Sequence, residues 1–247
     1  MNGLETQHER RRPQERPEII RTIINGLERY NPEAASTLES YLQQQCEEKF
    51  CDCNANRALL KLYQLNPDRI KDEAVTNILV KAMTQFPSPQ FDLCMHLLAP
   101  SHSNPAPAST SELAEAVAKL RVLNTQLEGA QYGRFWATLS ADDDDIYADL
   151  TTDIAGFEDM IRVRIAQLIS QAYREIDVAV LENWLGLDGA DEVAKFAVET
   201  CGWKVVEDGL VQIPKNAENE ARKAEIREDV NVDMFARVIK RSWEEVA

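Results

Sequence analysis

Apolar positions return at steps of three and four along most of the chain, the period of helices that bury one face. Ile19, Ile20, Ile23, Ile24 and Leu27 form a first stripe, and Leu38, Tyr41, Leu42 and Gln45 a second. Between them stands Asn31-Pro32. Proline suits a first helical turn and disfavours helix for the residue before it, so this pair marks a corner. The polar stretch DCNAN precedes a third stripe: Leu59, Leu60, Leu62, Tyr63 and Leu65. Asn66-Pro67 repeats the punctuation 35 positions on, ahead of Val75, Ile78, Leu79, Ala82 and Met83. Two helical hairpins with a shared corner predict an α-solenoid, because one hairpin alone cannot bury both faces. An irregular helical bundle would produce the same stripes.

A short helix is expected over 90–99, and SHSNPAPAST (101–110) reads as a solvated loop. Ser111 is placed to cap a helix whose stripe is Leu113, Val117, Leu120, Leu123 and Leu127. Tyr132–Leu139 is a brief aromatic helix, and Asp142–Asp145 suit the start of the next. Phe157, Ile161, Ile165, Leu168 and Ala172 make a further stripe, followed by a link over Arg174–Asp177. Val178–Leu187 and Ala190–Cys201 read as helices, with Gly202 as the stop. Trp203 and Val205, then Leu210, Val211 and Ile213, flank Glu207-Asp208-Gly209, a hairpin signal. Three helices and a hairpin are the order of a winged helix. A last helix over 231–246 sets Val232, Phe235, Ile239, Ser242 and Val246 on one seam, widened by Val238 and Trp243. The expected fold is mainly α: a tail (1–16), a helical-repeat half (17–150), a winged helix with a small β-hairpin (151–215), and a linker with a C-terminal assembly helix (216–247).

Composition agrees with helices. Nine glycines in 247 residues and 7% aromatics disfavour turn-rich β folds and glycine-rich phosphate loops. No apolar run reaches the ~18 residues of a membrane span, and MNGLETQHERRRPQERPE has no apolar core of a secretory signal. A cytoplasmic protein without a membrane partner is expected. The net charge is −15. Residues 1–100 hold 12 basic and 14 acidic groups, and residues 101–247 hold 15 and 28, so −13 lies beyond residue 100. Such a surface repels phosphate backbones. The five cysteines, Cys46, Cys51, Cys53, Cys94 and Cys201, lack framework spacing and read as reduced thiols.

Little in the chain has the spacing of chemistry. A groove-reading helix needs Lys or Arg. Asp188–Cys201 offers Lys195 against Asp188, Asp191, Glu192 and Glu199, and the wing offers Lys204 against Glu207 and Asp208, together −4. That disfavours DNA and favours a protein-contacting winged helix. ADDDDIYADL lacks the alternating ligands and glycine of a calcium loop. Cys46, Cys51 and Cys53 lack zinc spacing, and His8, His96 and His102 lie elsewhere. GxSxG, HExxH, GxxxxGK[ST] and GxGxxG do not occur. No enzyme activity, metal or cofactor is expected. The arginines of the tail (Arg10, Arg11, Arg12, Arg16) are diluted by Glu5, Glu9, Glu15 and Glu18, with no aromatic to stack on a base, so direct nucleic-acid binding should be slight.

RYNPEAASTLESYL (29–42), NANRALLKLYQLNP (54–67), TNILVKAMTQFPSPQFDLC (76–94), IAGFEDMIR (154–162) and GWKVVEDGLVQI (202–213) closely resemble the K-subunit family of eukaryotic translation initiation factor three. The similarity spans about Ile19 to Ile213, nearly continuously over 23–98. It implies a small PCI-type protein, a HEAT-like half followed by a winged helix, acting as a non-catalytic subunit. It also implies docking beside the L subunit, within a factor that binds the small ribosomal subunit. The arginine-rich tail and SHSNPAPAST depart from the family, and the family does not need Cys51 or Cys53. A scaffold of this kind presents apolar surface to sister subunits. The candidates are the hairpin (Trp203, Val205, Leu210, Ile213) and the final seam (Val232, Phe235, Ile239, Val246), either of which could instead pack within the chain. A PCI subunit of the proteasome lid or signalosome has the same architecture. A helical-repeat peptide adaptor and a winged-helix nucleic-acid regulator are the readings from other classes.

Overall fold

Short polar side chains open several of the helices. Asp52 accepts hydrogen bonds from the backbone N–H groups of Asn54 and Ala55, Ser111 from Ala114 (3.2 Å), and Asp177 from Ala179 (2.8 Å). Each satisfies donors that the first helical turn leaves without partners. The computed structural model describes residues 16–103, 111–141, 146–206, 209–220 and 232–244. Its helices are α1 (Glu18–Asn25), α2 (Ala34–Glu47), α3 (Cys53–Leu65), α4 (Asp72–Met83), α5 (Gln90–Met95), α6 (Glu112–Glu128), α7 (Tyr132–Leu139), α8 (Ile146–Thr152) and α9 (Phe157–Ala172). Then follow β1 (Glu175–Asp177), α10 (Val178–Leu185), α11 (Ala190–Lys195), β2 (Lys204–Val206), β3 (Leu210–Gln212) and α12 (Val232–Glu244). The fold is mainly α, with one small antiparallel sheet of order β1-β3-β2.

The helical half stacks in chain order. α2 packs on α3 and α4, α4 on α5 and α6, α6 on α7, and α7 on α10 of the winged helix. The predicted stripes of α2, α4 and α6 are buried throughout. Gln45 joins them because both ends of its amide are satisfied. Its Nε2 donates to Asn56 Oδ1 at 2.8 Å, and its Oε1 accepts from the Asp52 N–H at 2.7 Å. One contiguous core runs from Ile20 to Ile213 and crosses the boundary drawn at 150/151.

The differences from expectation have local causes. Ile20 and Ile23 are buried, but Ile19 and Leu27 are exposed. α1 stops at Asn25, Gly26 is extended, and Leu27 begins a separate 3-10 turn that carries it off the stripe. Leu65, last residue of α3, is exposed as well. On α9 the inner face holds Ile169, while Leu168 is only partly buried and Ala172 is exposed. The helix from Ala190 runs as α to Lys195 and continues as a π turn over Phe196–Thr200.

The link over Arg174–Asp177 contains a strand, Glu175–Asp177. Glu175, Ile176 and Asp177 pair with Gln212, Val211 and Leu210, completing the three-stranded sheet of a winged helix. Residues 101–103 belong to a helical turn, Pro100–Ser103, and the remainder of that loop lies outside the described residues. So do Asp142–Asp145, Glu207-Asp208, Val246 and positions 1–15 of the tail. Arg16 does not belong to a loose tail. Its Nε and Nη2 donate to the Asp52 carboxylate at 2.5 and 2.7 Å, 36 positions along the chain.

Candidate interaction surfaces

The hairpin residues part company in the fold. Trp203 is 2% exposed, and Ile213 and Val211 are likewise in the core. The Trp203 N–H donates to the Ala197 carbonyl at 2.8 Å, tying the start of the hairpin to the π turn. Trp203 and Ile213 thus lie on the inner side of the sheet and pack within the chain. Leu210 is partly buried. Val205 stands directly opposite Val211, and Val211 opposite Ile176, so the three share one face of the sheet. Ile176 and Val211 are buried, yet Val205 is 41% exposed, because β2 is an edge strand with no further strand beside it among the described residues. An apolar side chain beside an open edge is a ready place for another chain. Val206 and, on the π turn, Val198 are exposed too. Period-two alternation alone does not distinguish edge from centre.

α12 is the second surface. Phe235, Val238, Ile239 and Trp243 fall at i, i+3, i+4 and i+8, one helical face. They are 58, 67, 53 and 76% exposed, and every side chain from Phe235 to Trp243 is exposed. Three of those side chains, Arg237, Lys240 and Arg241, are basic, and none is acidic. With Asp233 and Glu244 near its ends, α12 carries three bases against two acids, on a chain of net charge −15. Val232 opens the helix.

The would-be recognition helix turns its acids outward. Asp188, Asp191, Glu192 and Glu199 are exposed beside Lys195. Among the described residues, no group of three or more His, Cys, Asp or Glu side chains could hold a metal ion, and no helix is long and apolar enough to cross a membrane.

The joint between the halves is built on aromatic rings. The Trp136 Nε1–H of α7 donates to the Trp184 carbonyl at 2.9 Å. The Arg162 guanidinium lies 4.9 Å from the Trp136 ring centre and donates to the carbonyls of Leu185 (3.0 Å) and Gly186 (3.2 Å). Arg162 therefore closes the C-terminal end of α10, and its charge suits the exposed carbonyls there.

The sequence pattern of the CSN8/PSMD8/EIF3K family matches residues 69–225. A Neurospora crassa protein named eukaryotic translation initiation factor 3 subunit K is 80% identical over 235 residues, covering 95% of this chain and 98% of its own. The protein of that name from Pyricularia oryzae is 68% identical, covering 95% and 96%. The one from Aspergillus fumigatus is 50% identical, covering 94% and 96%. With likeness of this extent, on a helical stack carrying a three-stranded winged helix, the chain belongs to the CSN8/PSMD8/EIF3K family, among the K subunits of eukaryotic translation initiation factor 3.

Proposed function

We propose that the chain is a non-catalytic scaffold subunit of the initiation factor, without metal or cofactor, held in place by apolar surfaces that sister subunits cover. Residues 17–150 and 151–215 act as one body, and 216–247 carry α12 out to the partner. The observation behind this reading is the exposed stripe Phe235, Val238, Ile239 and Trp243. A contiguous apolar face of this kind marks an interaction site on a folded protein. Val205 on the open edge of β2 is the second point of contact. The L subunit is the partner proposed for these surfaces, and the small ribosomal subunit is reached through the assembled complex.

The test uses Phe235→Ala combined with Ile239→Ala. Truncating a buried aromatic costs ~3–5 kcal/mol wherever it is buried, so the location of the loss decides the matter. An assembly role predicts an unchanged melting temperature for the isolated chain and reduced recovery of initiation-factor subunits in co-purification. A large fall in the melting temperature of the isolated chain would return α12 to the chain's own core. Recovery of lid or signalosome subunits instead would replace the complex named here.

A further inference from the structure

Two thiols bracket the residue that holds Arg16. Cys51 Sγ and Cys53 Sγ are 3.6 Å apart, and both cysteines are in the thiol form. Asp52 between them has φ −102° and ψ 86°, close to the centre of an inverse γ-turn. Two residues flanking an extended one stand ~6.6–7.2 Å apart at Cα, at or beyond the ~4.4–6.8 Å that disulfides span. The bend at Asp52 shortens that reach and turns the two side chains toward each other. Cys53 is partly exposed, so a small oxidant reaches it first, while Cys51 is buried behind it. The Asn56 side-chain amide donates to Cys51 Sγ at 3.8 Å and orients it.

Asp52 is committed on several sides. Its carboxylate caps α3 through Asn54 and Ala55, accepts from Arg16, and lies 3.5 Å from the Tyr41 hydroxyl; its N–H donates to Gln45. The pair with Arg16 strengthens that guanidinium's hold on its proton, and burial, then the Asp52 charge, pushes the Tyr41 hydroxyl up to about 12.

We propose that Cys51 and Cys53 form a reversible dithiol–disulfide pair, oxidised by a low-molecular-weight disulfide such as oxidised glutathione, whose state sets the grip of Asp52 on Arg16. The Cys53 thiolate attacks one sulfur of the small disulfide and expels the first thiolate. The Cys51 thiolate then attacks Cys53 Sγ and expels the second. The protein loses two electrons and two protons, and the small disulfide gains them as two thiols. Closure draws the sulfurs from 3.6 Å to the ~2.05 Å of a bond and rotates the peptide planes on both sides of Asp52. The cap bonds lie within the same turn and travel with Asp52. Arg16 comes from a segment 36 positions away and does not follow, so its bidentate pair is the contact that loosens. Burial pushes the thiols of Cys94 (up to about 12) and Cys46 upward, which leaves both poor competitors for the reaction.

The chain supplies a clean readout. Lys49 and Arg57 bound a tryptic peptide, 50–57, that contains these two cysteines and no other. After treatment of the folded chain with oxidised glutathione, denaturation and alkylation, most of that peptide should carry no label and weigh two hydrogens less. Dithiothreitol should restore both labels, and Cys53→Ser should abolish the product. In the reduced protein Arg16→Ala should lower the melting temperature, and in the oxidised protein that deficit should shrink by at least half. The proposal falls if peptide 50–57 keeps both labels, if its cysteines end as mixed disulfides with glutathione, or if the disulfide forms with the Arg16→Ala deficit unchanged.

Discussion

Lys81 carries an amine into the core of the helical stack. Its side chain is buried on α4, and its Nζ has no hydrogen-bond partner. Burial pushes its pKa down, against the opposing effect of the neighbouring Cys46 and Cys51. The unfolded chain therefore binds the proton more tightly than the folded one, and stability rises with pH from the lowered folded value to the ordinary ~10.4. Lys81→Met keeps the length and removes the amine. It should stabilise the chain at neutral pH by roughly 1–3 kcal/mol, the penalty of a buried unsatisfied group. Denaturant melts at rising pH should show that gain shrinking toward ~10.4. The opposite sign belongs to Cys94 and Cys201, whose thiols burial pushes up to about 12. In the unfolded chain they ionise near ~8.5, so their protonated folded forms cost stability above that pH. Below the melting transition both should resist iodoacetamide at pH 8 and label fully in denaturant, read by peptide mass. Gln45 was legible as a core position because it sits in an apolar stripe. Lys81 was not, since a lysine among Val80, Ala82 and Met83 carries no sign of which way it points.

At the scale of elements, the joint of α7 with α10 depends on a residue with no side chain. Gly186 ends α10 at φ +58°, and a Cβ there would lie 2.5 Å from the Trp136 ring. Gly186→Ala should cost ~2–5 kcal/mol, the left-handed strain plus forced repacking of an indole held by Arg162 and Trp184. Gly202→Ala, also at a positive φ but with open space around it, should lose only the strain, ~1–2 kcal/mol. Thermal melting of the pair isolates the ring contact. Most helices were readable because a stripe repeats over several turns. β1 was not: it has three residues, one of them buried, and its partners, residues 210–212, come more than 30 positions later. Strand pairing at such distance leaves no local period. The seam of α12 was legible as a face, but periodicity states only that a face exists. Its exposure, like that of Val205 against the burial of Trp203 and Ile213, depends on which elements come to lie beside it.

For the whole molecule, the charge of −15 predicts weak retention on RNA at physiological salt, with what remains owed to the arginine-rich residues 1–15. Deleting those residues should abolish it, and submicromolar binding by the truncated chain at ~150 mM salt would overturn the charge argument. The order of the architecture followed from element order alone, whereas the continuity of the core across the two halves depends on side chains far apart in sequence, such as Trp136 on α7 and Trp184 on α10. The placement of β3 between β1 and β2 has a consequence for the chain as it is made. Synthesis runs from the N-terminus, so β1 leaves the ribosome before residues 210–212, its partners in the folded sheet. Until then the nascent winged helix holds an open strand, a form prone to mispairing. The residues of α12 are translated after the sheet's central strand. In a vectorially made protein, the face meant for neighbours is thus offered only once the fold behind it has the means to close.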